Sequence, residues 1–175
     1  MMEGDAFIKE RILALDLAKA REKELLDVGA GPLALLAAER YDCFVTSIDI
    51  SPEALSLAEA EAEEHGVAEK ISFEREDTSN LSYCDDAFDI GICFCALHHI
   101  APERRANAIR ELFRVIYERL VIAEFTQAGF DARHRNDPFI PVDPTWLKAE
   151  LEKLGPVEVH GEGEIRIFVL EKRKG

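Results

Sequence analysis

Two spacings of apolar residues alternate along the chain. Ile8, Ile12, Leu15 and Ala18 recur at helical intervals and predict a helix from Asp5 to about Ala20, with Asp5 as its cap. Glu24–Val28 is a short apolar run that stops at Gly29 and predicts a buried strand. Helical spacing returns from Leu33 to about Arg40, and Cys43–Ile48 predicts the second strand. Ser51 is placed to cap the next helix, with Pro52 in its first turn and Gly66 as the left-handed stop. Ile71–Arg75 and Phe88–Phe94 predict two further strands. Pro102 opens a helix whose apolar stripe is Ile109, Leu112, Phe113 and Ile116. Leu120–Ala123 is apolar throughout, as expected of a strand covered on both faces. Thr126 to Pro144 is polar and proline-containing and predicts a loop; a helix follows from Trp146 to Leu154. Val157–Val159 and Glu164–Leu170 predict a terminal hairpin across Gly161–Gly163.

Strands that alternate with helices imply an α/β fold: a doubly wound, mostly parallel sheet with helices on both faces. The terminal hairpin adds an antiparallel edge strand. No repeat or linker divides the 175 residues, so residues 1–175 are expected to form a single domain.

Charge narrows the partners. With 21 Lys plus Arg against 35 Asp plus Glu, the formal charge is −14. Nucleic-acid affinity rests on phosphate neutralisation by cations, so no direct nucleic-acid partner is expected. Anionic membrane surfaces are excluded on the same ground. No apolar run reaches the roughly 18 residues that cross a bilayer, and the start, MMEGDAFIKERI, does not read as a signal peptide. Without such a signal, Cys43, Cys84, Cys93 and Cys95 are expected to be free thiols in a reducing cytoplasm. Cys93 and Cys95 are two apart and would share one face of a strand.

The first strand-to-helix turn carries the most chemistry. Asp27-Val28-Gly29-Ala30-Gly31-Pro32 sets two glycines where a doubly wound sheet binds ligands, beyond the carboxyl end of a strand. Glycine lets the backbone turn sharply and approach a ligand closely. Asp49 ends the second strand, at the distance where an acid can accept from both hydroxyls of an adenosine ribose. Asp77 follows the third strand. Gly29 to Ala34 also fits the G-x-G-x-x-A dinucleotide pattern, so an NAD(P)-binding oxidoreductase is an alternative. Asp27, unexpected before a dinucleotide turn, argues against it.

Taken in order, Leu25–Gly31, Ile48–Ser51, Asp77-Thr78, Phe88–Ile90, Leu97-His98-His99-Ile100 and Leu120–Phe125 resemble the class I S-adenosylmethionine-dependent methyltransferases. The likeness runs from about Lys23 to Thr126 and is nearest to the small-molecule branch that holds the ubiquinone and menaquinone C-methyltransferases. The resemblance implies a Rossmann-like sheet, S-adenosyl-L-methionine as cofactor and a small-molecule methyl acceptor. It also implies residue roles. Asp27 with Gly29, Ala30 and Gly31 would hold the methionine end, and Asp49 the ribose. Ile50 would pack on the adenine, Asp77 would accept from its amino group with Thr78 beside it, and Cys93 and Phe94 would border the methyl donor. Two family features are absent. Leu33 replaces the third glycine, and no Pro-Gly-Gly turn precedes the fifth strand.

His98 and His99 lie at the expected mouth of the site, where a histidine could act as general base; a turn held by an imidazole is the alternative. Direct methyl displacement does not require a base. The spacing Cys93-x-Cys95-x-x-His98-His99 superficially resembles a metal cluster, but an apolar strand accounts for the cysteines, and no metal is expected. Arg133 and Arg135 flank His134 in the predicted loop and could bind an anionic group of the acceptor. A solvated charge run is the alternative. No insertion supplies a lid, so a homo-oligomer or a partner subunit could complete the pocket. A non-catalytic cofactor-binding subunit is the remaining functional reading.

Overall fold

The computed structural model describes residues 7–172. Its strands are β1 (Glu24–Val28), β2 (Phe44–Asp49), β3 (Ile71–Arg75), β4 (Phe88–Phe94), β5 (Ile116–Phe125), β6 (Val157–His160) and β7 (Ile165–Glu171). Its helices are α1 (Ile8–Leu17), α2 (Pro32–Arg40), α3 (Pro52–Glu64), α4 (Pro102–Val115), α5 (Gln127–His134) and α6 (Pro144–Glu152). The strands lie in the order β3-β2-β1-β4-β5-β7-β6. β1 to β5 pair in parallel, whereas β7 is antiparallel to both β5 and β6. The expected antiparallel edge is therefore a hairpin, with its second strand inserted between β5 and β6.

Two apolar layers follow from the alternation of side chains along the strands. Leu25, Val45, Ile90, Ile92 and Val121 face α1, α2 and α5, together with Ala62 of α3. Leu26, Ile48, Cys93, Leu120 and Ile122 face α4 and α6 on the other side. The right-handed crossovers thus put helices on both faces. β1 lies between β2 and β4. The chain leaves those neighbours in opposite directions, so a crevice opens at the carboxyl ends of β1 and β4.

Local signals explain most boundaries. Ser51 accepts from Ala54 N at 3.2 Å and caps α3, with Pro52 at its first position. Gly66 takes φ 71°, the left-handed conformation that ends α3. The hairpin turn uses positive φ at Gly161 and Gly163.

Several expectations are corrected. Thr126 to Pro144 is not all loop: it contains α5, capped by Thr126, whose hydroxyl accepts from Gly129 N at 3.2 Å. Ile116 does not belong to the helical stripe. It is the first residue of a longer β5, because α4 passes into the strand without an intervening turn. The first helix is shorter than expected, Ile8–Leu17, and follows a left-handed Phe7. Asp5, its expected cap, lies outside the described residues. Cys93 and Cys95 do not share a strand face, because β4 ends at Phe94 and Cys95 turns left-handed at φ 49°. Cys93 packs in the α4 layer and Cys95 against the α1 layer.

Candidate functional site

The loops after β1, β2, β4 and β5 meet at one end of the sheet. Gly29 opens the first of them at φ 92°, and its N–H donates to the Ile48 carbonyl at 2.8 Å. A Cβ on Gly29 would stand 3.2 Å from the Ala96 Cβ, so the β1 turn and the β4 turn are in contact. Beside Gly31, by contrast, a Cβ would meet nothing within 4 Å, and the backbone there borders open space.

Three acids predicted from sequence have three different environments. Asp27 is buried at 1 % exposure, and its carboxylate accepts from the Ser47 hydroxyl at 2.9 Å. Burial pushes its pKa up from 3.8 to about 7; the Ser47 bond and the charge of Arg11 oppose the rise, and the charge of Asp49 adds to it. Asp49 is half-buried. One oxygen accepts from Ala30 N at 3.1 Å and the other from Ser51 N at 2.9 Å, so it ties the glycine turn to the start of α3. Asp77 accepts from Ser79 N at 3.0 Å and from the Ser79 hydroxyl at 2.8 Å, and it pairs with Arg104. Burial opposes the charged form of Asp77, but the bonds from Arg104 and Ser79 outweigh it and hold the pKa below the usual range. Thr78 is half-buried beside it. Ile50 is exposed at 60 %, an apolar side chain left bare at the end of β2.

Arg11 of α1 lies across the same crevice, with its guanidinium 5.2 Å from the Phe94 ring centroid. Burial lowers its pKa, and the carboxylates of Asp27 and Glu10 oppose the fall. Cys93 is fully buried, and desolvation, with the charge of Glu124 adding, raises its pKa and keeps the thiol neutral.

Beyond β4 and β5 lies a cluster of rings. His98 is buried, and its Nδ1 stands 2.7 Å from Glu124 Oε1. Glu124 also accepts from His98 N at 3.2 Å and from Phe125 N at 3.0 Å. Around the His98 ring stand those of His99, His134, Phe125, Phe130 and Phe139, with centroids 4.3 to 5.8 Å away. His98 Nε2 has no hydrogen-bond partner among the described residues. His99 stacks one face on Phe139 at 4.5 Å and keeps the rest in solvent. Partial burial, with the His98 charge adding, pushes its pKa down to about 4, so it is neutral at physiological pH. Arg105 is buried, and its guanidinium donates to the carbonyls of Ile100, His98, Ile140 and Pro141. It fastens the segment after α5 to the turn after β4.

The basic cluster of the sequence disperses. Arg133 pairs with Glu164 at 3.2 Å and stacks on Phe7 at 4.2 Å, His134 turns inward to the rings, and Arg135 is exposed. Among the described residues no three of His, Cys, Asp and Glu converge to hold a metal ion, and no helix is long and apolar enough to cross a membrane. Cavities of about 420 and 310 Å³ lie elsewhere, at the amino ends of β1 to β4 and beside β6 and β7.

Glu124, Arg105, Arg104 and Arg11 were not singled out from the sequence. Glu124 was detectable as the one charge in the apolar run Leu120–Phe125. Arg104 carried no local signal, since its partner Asp77 lies 27 residues away, and two of the carbonyls that Arg105 binds lie 35 and 36 residues away.

Residues 25–118 match a family model described as "Methyltransferase domain". The chain belongs to the methyltransferase domain family. The match runs from β1 into β5 and so covers the glycine turn, Asp49, Asp77 and both histidines of the β4 turn. A relative in this family is the uncharacterized methyltransferase YcgJ of Bacillus subtilis. It is 35 % identical over 106 residues, which is 59 % of this chain and 41 % of the relative. Ajmaline N-methyltransferase of Rauvolfia serpentina is 32 % identical over 102 residues, 57 % of this chain and 34 % of that one. Among solved structures, magnesium protoporphyrin IX methyltransferase of Synechocystis, with S-adenosylhomocysteine bound, superposes with a TM-score of 0.75 at 16 % identity. That superposition covers 97 % of this chain and 83 % of the other and shows the shared fold. The chain spans about two-fifths or less of the length of the curated relatives it matches.

Proposed function

We propose that the chain is one S-adenosylmethionine-binding domain and transfers the methyl group to a small-molecule acceptor. The observation that carries this reading is Asp49, held by two backbone N–H groups at the lip of the glycine turn, with Ile50 bare beside it. A fixed carboxylate next to exposed apolar surface suits a ribose joined to an adenine. Gly31 leaves room for a ligand against the backbone, and buried Asp27 offers a negative charge to a cationic amino acid. S-Adenosylmethionine has no phosphate, and this turn is lined by acids.

When bound, the cofactor supplies an electrophilic methyl on a sulfonium. Asp27, Gly29, Ala30 and Gly31 hold the methionine end. Asp49 accepts from the ribose, Ile50 covers the adenine, and Asp77 with Thr78 takes the adenine edge beside Arg104. Phe94 would border the methyl, whereas Cys93, fully buried in the layer that faces α4, offers no surface to a ligand. Arg133 on α5 and Arg135 just past its end stand at the acceptor rim. Because Arg133 is already paired with Glu164, it meets an anionic acceptor only by exchanging that partner. The free cysteines and the acidic surface fit a cytoplasmic protein.

Titration calorimetry tests the reading. S-Adenosylhomocysteine should bind, and NAD and NADP should not. Asp49→Ala removes charge-assisted hydrogen bonds worth about 1.5–3 kcal/mol each and should weaken binding at least about tenfold. Unchanged affinity in that variant would refute the ribose assignment. A non-catalytic binding subunit is the second reading, favoured by the missing Pro-Gly-Gly turn before β5. Release of S-adenosylhomocysteine in the presence of a metabolite panel separates the two.

A further inference from the structure

Among the described residues, the buried His98 Nε2 has no hydrogen-bond partner. A polar atom removed from water without a partner costs about 1–3 kcal/mol, and such exceptions call for an explanation. The other ring nitrogen, Nδ1, is fully engaged by Glu124 at 2.7 Å. The Glu124 carboxylate is itself held by two backbone N–H groups, so it stays an acceptor and Nδ1–H is the donor. With Nδ1–H as the donor, the neutral form of the ring has its lone pair on Nε2. Packing of Phe125 and Phe130 fixes the plane of the ring, and His134 and Phe139 cover it from α5 and the segment that follows. A carboxylate that fixes the tautomer, an imidazole that cannot rotate and an unused lone pair form a base awaiting a proton.

We propose that His98 is the general base for the acceptor and that Glu124 is its positioning residue. The inference rests on the methyltransferase reading above and deepens it. It assigns the acceptor to protic nucleophiles, hydroxyl or amine, which must reach Nε2 past the rings of His134 and Phe139. In the balanced step, the acceptor oxygen or nitrogen forms a bond to the methyl carbon and the carbon–sulfur bond breaks. The electron pair returns to sulfur as the sulfonium becomes a neutral thioether, and the acceptor proton passes to His98 Nε2. The arrangement distinguishes His98 from its neighbour. His99 stands at the surface with no carboxylate within hydrogen-bonding distance.

The test compares acceptors with and without a proton to lose, in the full chain. The protic probes are a set of phenols and primary amines, and the proton-free probe is iodide. His98→Asn keeps a donor near the Nδ1 position and deletes Nε2. It should bind S-adenosylhomocysteine as the parent does, methylate iodide within about twofold, and lose about 100-fold or more on the protic probe. In the parent, kcat/KM for the protic probe should rise with pH along a limb that is absent for iodide and absent in His98→Asn. The groups facing His98 that could shape that limb are Glu124 on β5, His99 in its own turn, His134 on α5, and Arg105, which donates to the His98 carbonyl. Glu124→Gln should fold, bind the cofactor product and displace the limb, because it keeps the shape and loses the charge.

Equal losses on iodide and on the protic probe would overturn the proposal, as would an undiminished rate on the protic probe. A chain that binds S-adenosylhomocysteine but methylates neither class would overturn it too. Failure to bind S-adenosylhomocysteine would instead remove the methyltransferase reading itself, and the dyad with it.

Discussion

Asp27→Asn isolates the energy of a carboxylate kept from water at the heart of the site. The side chain is buried, and its pKa stands at about 7 against 3.8 unperturbed. At about 1.4 kcal/mol per unit, holding that carboxylate charged in the folded chain costs about 4 kcal/mol. The sign follows from proton counting. Between pH 3.8 and about 7 the folded chain keeps a proton that the unfolded chain has released. Stability therefore falls as pH rises across that window and levels off above it. Asn preserves the shape and can still accept from Ser47, but it has no charge to desolvate. Near pH 4 the variant and the parent should unfold at similar urea concentrations. Near pH 8 the variant should be up to about 4 kcal/mol more stable, a rise in Tm on the order of 10 °C. A difference that is the same at both pH values, or a variant less stable near pH 8, would refute the reasoning. In the proposed site the costly charge is the one offered to the ammonium, so the same substitution should weaken S-adenosylmethionine binding. Cofactor binding to the parent just below pH 7 should release a proton, detectable by calorimetry in buffers of different ionisation enthalpy.

Gly29→Ala should lose about 1–2 kcal/mol, because the residue sits at φ 92° and its Cβ would press on Ala96 at 3.2 Å; urea unfolding measures it. Arg105→Ala strips the donor from four backbone carbonyls and should cost about 2–4 kcal/mol, with faster amide exchange at residues 139–142.

Much of the architecture was legible because the sheet imposes simple patterns. β1, β4 and the centre of β5 are apolar on both faces, and capping residues mark α3 at both ends. The α5 helix was hidden for a physical reason. Its sequence, Gln127 to His134, is half polar and contains Gly129, which reads as a loop. The glycine is required by packing: a Cβ there would meet the Glu164 carbonyl oxygen at 2.5 Å. A tertiary contact that distant in sequence leaves no local trace. Ile116 failed for a related reason. Its apolar character continues the stripe of α4, but the chain changes to β5 at that residue, and hydrophobic spacing cannot register such a change. The acids of the glycine turn were legible from their positions at strand ends. The Glu124–His98 pair was only half legible: the histidine stood in a recognisable place, while its partner lay 26 positions away on another strand.

The close approach of Gly29 to Ala96 makes two loops one mechanical part. The glycine turn after β1 and the turn that leads to His98 cannot be redesigned separately. Any change of acceptor built on the segment after β4 must keep a residue as small as alanine at position 96, or the glycine turn is pushed off Ile48. For transplanting acceptor loops between relatives, Ala96 is a compatibility condition to check before any residue of the acceptor pocket.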